Sequence, residues 1–284
     1  MDIKQIIKNN TFVINLKYDI LKKQIFLQNN HHVSINFKFI EGIYGNEDIE
    51  CNNIFNNKKN IFISVNQIGY IKSMIKILQN INSDYIMILD DDVIFHKNFN
   101  NIFKKLKLPN DFNIFKLGSS NHSFRKKRIF IKSNKNYTIC KNRMLGSFAI
   151  IINKKIINKI LDLCKKMDNP FDKMIYKINK HYVIKKSIII PDVYKSSILK
   201  DRNLYECSKK FGWNLNFFNF KNSLRKVYII TKNTEIIKQL QFQTYKNFQI
   251  IPKYENHEFV FYCYSKNINN DWLENKMNIL IKNV

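Results

Sequence analysis

Asp90-Asp91-Asp92 is the one run of three consecutive acids in a chain that carries 48 Lys and Arg against 22 Asp and Glu. It follows Tyr85-Ile86-Met87-Ile88-Leu89, a continuous apolar run of the kind a strand shows when both its faces are buried. Adjacent carboxylates repel one another unless a cation sits among them. On an extended backbone residues i and i+2 share a face, so Asp90 and Asp92 should point together and Asp91 away. Two carboxylates converging at the carboxyl end of a sheet strand make half of a hard-cation site. Water and phosphate oxygens would fill the other positions, as Mg²⁺ or Mn²⁺ prefers. Open α/β sheets bind their ligands at that end of the strands. The same acids also suit a turn leading into a helix, and spacing alone leaves both readings open.

The elements that must position this cluster are legible from periodicity. Strands are expected over residues 11–16, 37–40, 85–89, 112–117 and 147–152. Helices are expected over 19–29, from Gln67 to about Asn80, over 98–106 and over 154–167, the last with Asn153 as its cap and Ile156, Ile157, Ile160, Leu161 and Cys164 as its apolar face. Residues 52–60 read as a polar, Asn-rich loop and 122–143 as a basic irregular segment. Strands alternate with helices, which predicts an α/β fold with a mainly parallel sheet flanked by helices. From Leu224 the pattern restarts, with strands at 227–230, 248–251 and 259–262 and a helix at 234–242. The expected domains are therefore residues 1–221 and a small α/β module at 222–284.

Composition narrows the function classes. With 284 residues, 45% hydrophobic and 14% aromatic, the chain can bury a sizeable core, so wholesale disorder is excluded. Six Gly and four Pro exclude collagen-like and linker-rich compositions. No apolar run approaches the roughly 20 residues of a membrane span, and residues 1–10 hold no stretch of signal-peptide length, so neither is expected. Cysteines at 51, 140, 164, 207 and 263 are scattered and without a C-x-x-C pair, which argues for reduced thiols over a disulfide framework or zinc site. The net charge of +26 invites a nucleic-acid partner, yet the lysines accompany Asn and Ile along the whole chain. No specific nucleic-acid groove is expected, only salt-sensitive adhesion to polyanions.

Five short motifs occur in one order: Val13-Ile14-Asn15-Leu16, Gln67-Ile68-Gly69-Tyr70-Ile71-Lys72-Ser73, Ile88-Leu89-Asp90-Asp91-Asp92-Val93, Phe115-Lys116-Leu117-Gly118 and Pro170-Phe171-Asp172. Together they resemble glycosyltransferase family 25, the lipopolysaccharide and procollagen galactosyltransferase type, and most of all its giant-virus members, over residues 10–220. The resemblance implies a GT-A fold and transfer of a hexose from a nucleotide-sugar such as a UDP-sugar to a glycan or protein acceptor, with inversion. It implies Mn²⁺ or Mg²⁺ on Asp90 and Asp92, donor contacts from Asn15, Leu16, Ser73, Asp90 and Gly118, and catalytic roles for Asp91 and Asp172. Asp172 would be the base that deprotonates the attacking hydroxyl; a helix cap explains the same residue. The chain departs from the family pattern in three places. Lys17, Lys22 and Lys23 are the nearest cations where arginines usually follow the first strand, Met74 stands for a histidine, and Asp90 for a glutamate.

His122, the Arg125-Lys126-Lys127-Arg128 run, Ser196, Ser197 and Arg202 are further candidates for donor, acceptor or diphosphate, each equally explained as loop or turn chemistry. The C-terminal segment faintly resembles a truncated family 2 glycosyltransferase in which Tyr262-Cys263-Tyr264 stands where acids are expected, so a noncatalytic module is expected there. A cytoplasmic location, host cytoplasm or virion if viral, completes the reading. The competing expectation is a decayed transferase that binds polyanions through its basic charge.

Overall fold

Apolar runs without polar alternation become strands here because both faces of one sheet are covered. The computed structural model describes residues 2–57, 63–120, 136–140, 145–192, 204–219, 224–227, 251–255 and 258–264. The chain divides into two units, Met1–Phe218 and Asn219–Val284. In order, the first contains α1 (Ile3–Asn9), β1 (Thr11–Leu16), α2 (Ile20–Asn29), β2 (Phe37–Gly42), α3 (Ile49–Asn57), α4 (Val65–Gln79), β3 (Tyr85–Asp90), β4 (Val93–Phe95), α5 (Phe99–Lys105) and β5 (Ile114–Lys116). It continues with β6 (Tyr137–Ile139), β7 (Ala149–Asn153), α6 (Ile157–Cys164), α7 (Phe171–Ile175), β8 (His181–Ile184), β9 (Ile189–Pro191) and α8 (Leu204–Phe211).

Seven strands form the main sheet in the order β2-β1-β3-β7-β5-β8-β6. β1 pairs parallel with β2 and β3, and β5 with β8; β7 and β6 are antiparallel to their neighbours. All strands except β6 and β7 thus run one way, and the sheet is mixed but mainly parallel, the α/β class expected. The alternation of β3 divides its side chains between two cores. Met87 and Leu89 join Val13, Phe95, Phe99 and Phe103 on one face. Ile86 and Ile88 join Ile68, Ile71, Met74, Ile160 and Phe171 on the other, under α4, α6 and α7.

Caps and ties hold the helices at the site end of the sheet. α4 starts two residues before Gln67 because Ser64 and Gln67 form a capping box, each side chain bonding the other's backbone N–H at 3.3 and 2.8 Å. The Ser73 hydroxyl accepts from Ile43 N–H at 2.8 Å and so pins α4 to the end of β2. One expectation is corrected: residues 52–57 belong to α3 and not to a loop. Asn is a poor helix former, but Asp48 accepts from Cys51 N–H at 2.7 Å at the helix start, and Lys72 of α4 pairs with Asp48 and Glu50 at 2.9 and 2.6 Å. Cys51 is fully buried, so tertiary contacts override the local preference. α1 was not anticipated either; Asp2 caps it by accepting from Lys4 N–H.

β4 and β9 form a separate antiparallel ribbon immediately after the acids, and Asp192 N–H extends it with a 2.7 Å bond to the Asp92 carbonyl. The second unit contains β10 (Leu224–Val227), β11 (Ile251–Glu255) and β12 (Glu258–Tyr264) in an antiparallel sheet of order β10-β12-β11. The strand expected at 259–262 lies within β12. The helix expected at 234–242 lies outside the described residues.

Two buried basic groups sit on the sheet face beneath α7. The register of β5 and β8 pairs Ile114 with His181, which places Lys116 two residues along on the same face. Lys116 is fully buried and His181 is 1% exposed. Burial, with Lys116 as second cause, holds His181 well below its ordinary value of 6.5, so the folded protein keeps this ring neutral. The unfolded chain therefore takes up the proton more readily, and the stability present above about pH 6.5 is lost as the pH falls, by at most about 1.4 kcal/mol per unit. Urea unfolding of wild type and His181→Gln at pH 7.5, 6.5 and 5.5 should show the stability gap closing toward acid. Parallel pH profiles would refute the assignment.

Candidate active site

The acids lie where strand order reverses. β1 connects to β2 on one side of the sheet, while β3 lies on the other side of β1, so the carboxyl ends of β1 and β3 border a crevice. Register places Ile14 of β1 opposite Asp90. β3 ends at Asp90, and Asp91 and Asp92 form a turn. The extended alternation that the sequence reading carried through Asp92 therefore stops at Asp90, and the expected separation of Asp91 from Asp90 and Asp92 is not found. Asp90, Asp91 and Asp92 all line one pocket, with Leu16, Lys22, Tyr44, Tyr70 and Ser73 among its other walls. Its volume is about 80 Å³. That is room for a cation and a little water, well short of the roughly 300 Å³ or more of a whole small-molecule site, so a larger ligand must extend outward.

Each carboxylate has a different environment. Asp90 accepts from the Tyr70 hydroxyl at 3.0 Å, and that hydroxyl lies 3.2 Å from Ser147 Oγ. Tyr70 is held edge-on against Phe171 at 6.0 Å. Asp91 accepts from Asn15 Nδ2 at 2.8 Å, and its other oxygen lies 3.9 Å from Lys22 Nζ. Asn15 also donates to the Asp19 carbonyl at 3.1 Å, and Lys22 pairs with the Asp19 side chain at 3.1 Å. Asp92 differs: its Oδ1 is buried and has no hydrogen-bond partner.

Burial raises the pKa of all three acids. It brings Asp90 to about 7, helped by Asp91 and Asp172 and opposed by Tyr70 and Lys22. Asp91 is raised by burial against Lys22 and Asn15. Asp92 is raised well above the usual carboxylate range by burial and then by Asp90 and Asp91. Burial works against the charge on Lys22, yet Asp91, Asp19 and Asp92 outweigh it and its pKa rises. Three ionised carboxylates and one ammonium in the pocket would leave two negative charges, which one divalent cation would balance. Among the described residues no three His, Cys, Asp or Glu side chains form a ready-made metal cage. The donor set instead suits a hard cation held by one or two carboxylates and completed by water or phosphate oxygens.

The other expected residues are distributed unevenly. Leu16 and Ser73 line the pocket, and Asn15 orients Asp91. The Ser73 hydroxyl is occupied by Ile43 N–H and the Gly69 carbonyl at 2.8 Å each, so it braces the helix. Gly118 is not among the pocket's described walls. A Cβ there would come within 2.0 Å of the Ile189 carbonyl, which explains the glycine by strand packing alone. Asp172, at the start of α7, accepts from Gly146 N–H at 2.8 Å. Gly146 has φ +90°, the left-handed region that favours glycine. Asp172 does not line the pocket, although its charge acts on both Asp90 and Tyr70. Lys17 is exposed, and Lys23 lies over the Phe39 ring at 4.7 Å, leaving Lys22 as the cation that reaches the acids. Tyr70 was the residue missed: it stands three positions before Ser73, and so on the same side of α4, which was the available signal. His122, Arg125 to Arg128, Ser196, Ser197 and Arg202 lie outside the described residues.

Among the described residues no helix is long and apolar enough to cross a membrane. The family model described as glycosyltransferase family 25 (LPS biosynthesis protein) matches residues 8–175. The chain is 28% identical, over 322 aligned positions, to the protein Ycf2 of Physcomitrium patens, covering 95% of this chain but 14% of that protein. It thus spans about one seventh of the length of this curated relative. A solved glycosyltransferase involved in glycosylation of the major capsid of PBCV-1 is similar at 8% identity and a TM-score of 0.41, over 72% of this chain and 98% of that one. The glycosyltransferase GlyE of Streptococcus pneumoniae TIGR4 is similar at 14% identity and a TM-score of 0.36, over 62% of this chain and 45% of that one.

Proposed function

The chain belongs to glycosyltransferase family 25, and from that premise we propose a metal-dependent transfer of a hexose from a UDP-sugar to a hydroxyl of a glycan or protein, with inversion. The family match makes it a glycosyltransferase; the observation that carries the metal-dependent reading is the buried, unpartnered Oδ1 of Asp92 at the switch point of the sheet. The mainly parallel sheet, with the acids at the carboxyl end of β3, supports a GT-A reading in which Asp92 and Asp90 would hold Mn²⁺ or Mg²⁺. Such a cation, when bound, neutralises the charge that grows on the departing diphosphate.

The remaining roles fall to this chain's own residues. Tyr70 and Asn15 fix the rotamers of Asp90 and Asp91, so the acids are oriented before a donor arrives. Asp19 and Asp91 hold Lys22 in the wall of the same pocket, where its ammonium can meet a phosphate oxygen. Leu16 and Asn15 supply the β1 end against which the donor lies. Asp172, oriented by Gly146 N–H, takes the proton of the acceptor hydroxyl as that oxygen attacks the anomeric carbon in line with the leaving diphosphate. One base suffices for inversion, and no covalent intermediate forms.

Calorimetric titration of UDP into the full chain is the test. Binding is expected with Mn²⁺ present and is expected to vanish in chelator. Equal binding in chelator would overturn the metal role. No UDP binding in either condition, beside steeply salt-dependent binding to nucleic acid, would instead favour a polyanion-binding protein whose basis is the +26 net charge.

A further inference from the structure

Apart from the acidic pocket, the first unit contains a larger cleft of about 780 Å³, within the size range of small-molecule sites. It lies at the far end of the β4–β9 ribbon from Asp92, since His96, Ile184 and Ile188 line it while Asp92 and Asp192 close the other end. Its floor is apolar: Ile102 and Leu106 from the α5 region, Ile188, Trp213, Phe217 and Phe218. That floor is built, not incidental. Trp213 is 6% exposed and donates its indole N–H to the Ser119 carbonyl at 3.1 Å. Phe217 stacks on His96 at 5.2 Å with rings 25° apart, and its backbone carbonyl accepts from Lys97 N–H at 2.8 Å. Phe217 is nevertheless 50% exposed, so one large aromatic face is offered to whatever enters.

The walls are basic. Lys105, Lys185 and Lys186 line the cleft, and no Asp or Glu does so among the described residues. A purely apolar ligand would leave three ammonium groups against its surface, and a small hydrophilic anion would leave the floor in contact with water. Charge and apolarity are both matched by a molecule with an apolar body and a multiply charged anionic head. Lysines serve as separate point charges, which suits phosphate, whose oxygens accept from several directions, better than a planar carboxylate.

We propose that this cleft is a binding site, separate from the acidic pocket, for a single-chain alkyl or isoprenoid phosphate. The chain lies along Ile102, Ile188 and Phe217, and the phosphate sits among Lys105, Lys185 and Lys186. The proposal does not depend on the donor or metal assignment, because it shares no residue with the acidic pocket.

The test titrates the full chain, in phosphate-free buffer and below micelle concentrations, with decyl phosphate, hexyl phosphate, decanol, decanoate and inorganic phosphate. Decyl phosphate should bind tightest, by about tenfold or more over hexyl phosphate from the lost methylenes and by about tenfold over decanol from the lost charge. Lys185→Glu/Lys186→Glu should weaken decyl phosphate at least about tenfold while UDP and Mn²⁺ titrations of the same sample stay unchanged. If that double variant fails to fold, Lys105→Glu on the exposed face of α5 is the second variant, with the same expectation. Equal affinity for inorganic phosphate, for decanol or for decanoate would overturn the proposal. So would wild-type affinity in the Lys variants, or no uptake by the full chain.

Discussion

Asp92→Asn is expected to lower Mn²⁺-dependent turnover by about 10²-fold or more, the scale of a lost electrostatic stabiliser, and to leave the fold at least as stable in chelator. Asp92 Oδ1 has no hydrogen-bond partner, so the substitution removes a negative charge and breaks no hydrogen bond at that oxygen. Burial and then the charges of Asp90 and Asp91 disfavour its ionised form, and an amide of nearly equal volume ends that repulsion. Steady-state turnover at several Mn²⁺ concentrations, beside a thermal melt in chelator, checks both halves. Wild-type turnover would return the cluster to a turn that merely leads into the β4–β9 ribbon. A collapsed fold would make Asp92 structural.

Asp172→Asn is expected to reduce kcat by about 10²- to 10⁴-fold, the usual contribution of a positioned general base, with UDP binding unchanged. The amide can still accept from Gly146 N–H through its oxygen, so the 2.8 Å tie that orients this position is retained while basicity is lost. Asp172 does not line the acidic pocket, which is why donor affinity should be spared. Single-turnover measurements with saturating donor separate chemistry from binding. Undiminished turnover would leave Asp172 as the tie between the first turn of α7 and Gly146, not as a base; the helix cap expected of it is not formed, since Pro170 holds the N-cap position. An equal fall in donor affinity would place it on the donor side.

The acidic cluster was legible because it combines two signals that rarely coincide: a run of acids in a basic chain and an apolar strand ending directly before it. The β1 end, α4 and α6 were legible for a similar reason, since apolar periodicity reports which side of an element is buried. α3 was not, because its Asn-rich residues have no helical preference; Asp48, Lys72 and the burial of Cys51 hold it, and these contacts join residues up to 24 apart in sequence. β6, β8 and β9 were also missed. They are three or four residues long, too short for a period to register.

By itself the sequence determined the α/β class, the five ordered motifs that resemble the family, and the end of β3 as the place where the acids gather. Only the tertiary structure decided how each acid is buried and paired there. The strand stops at Asp90, so Asp91 and Asp92 turn into one pocket instead of alternating, and the difference among them comes from residues far along the chain: Tyr70 for Asp90, Asn15 and Lys22 for Asp91, none for Asp92. Gly118 shows the converse, a motif residue whose identity is explained by the Ile189 carbonyl packed against it. The physical reason is common to both. A residue's type sets what bonds it can make, but its protonation and pairing depend on burial and on neighbours that sequence order does not place beside it.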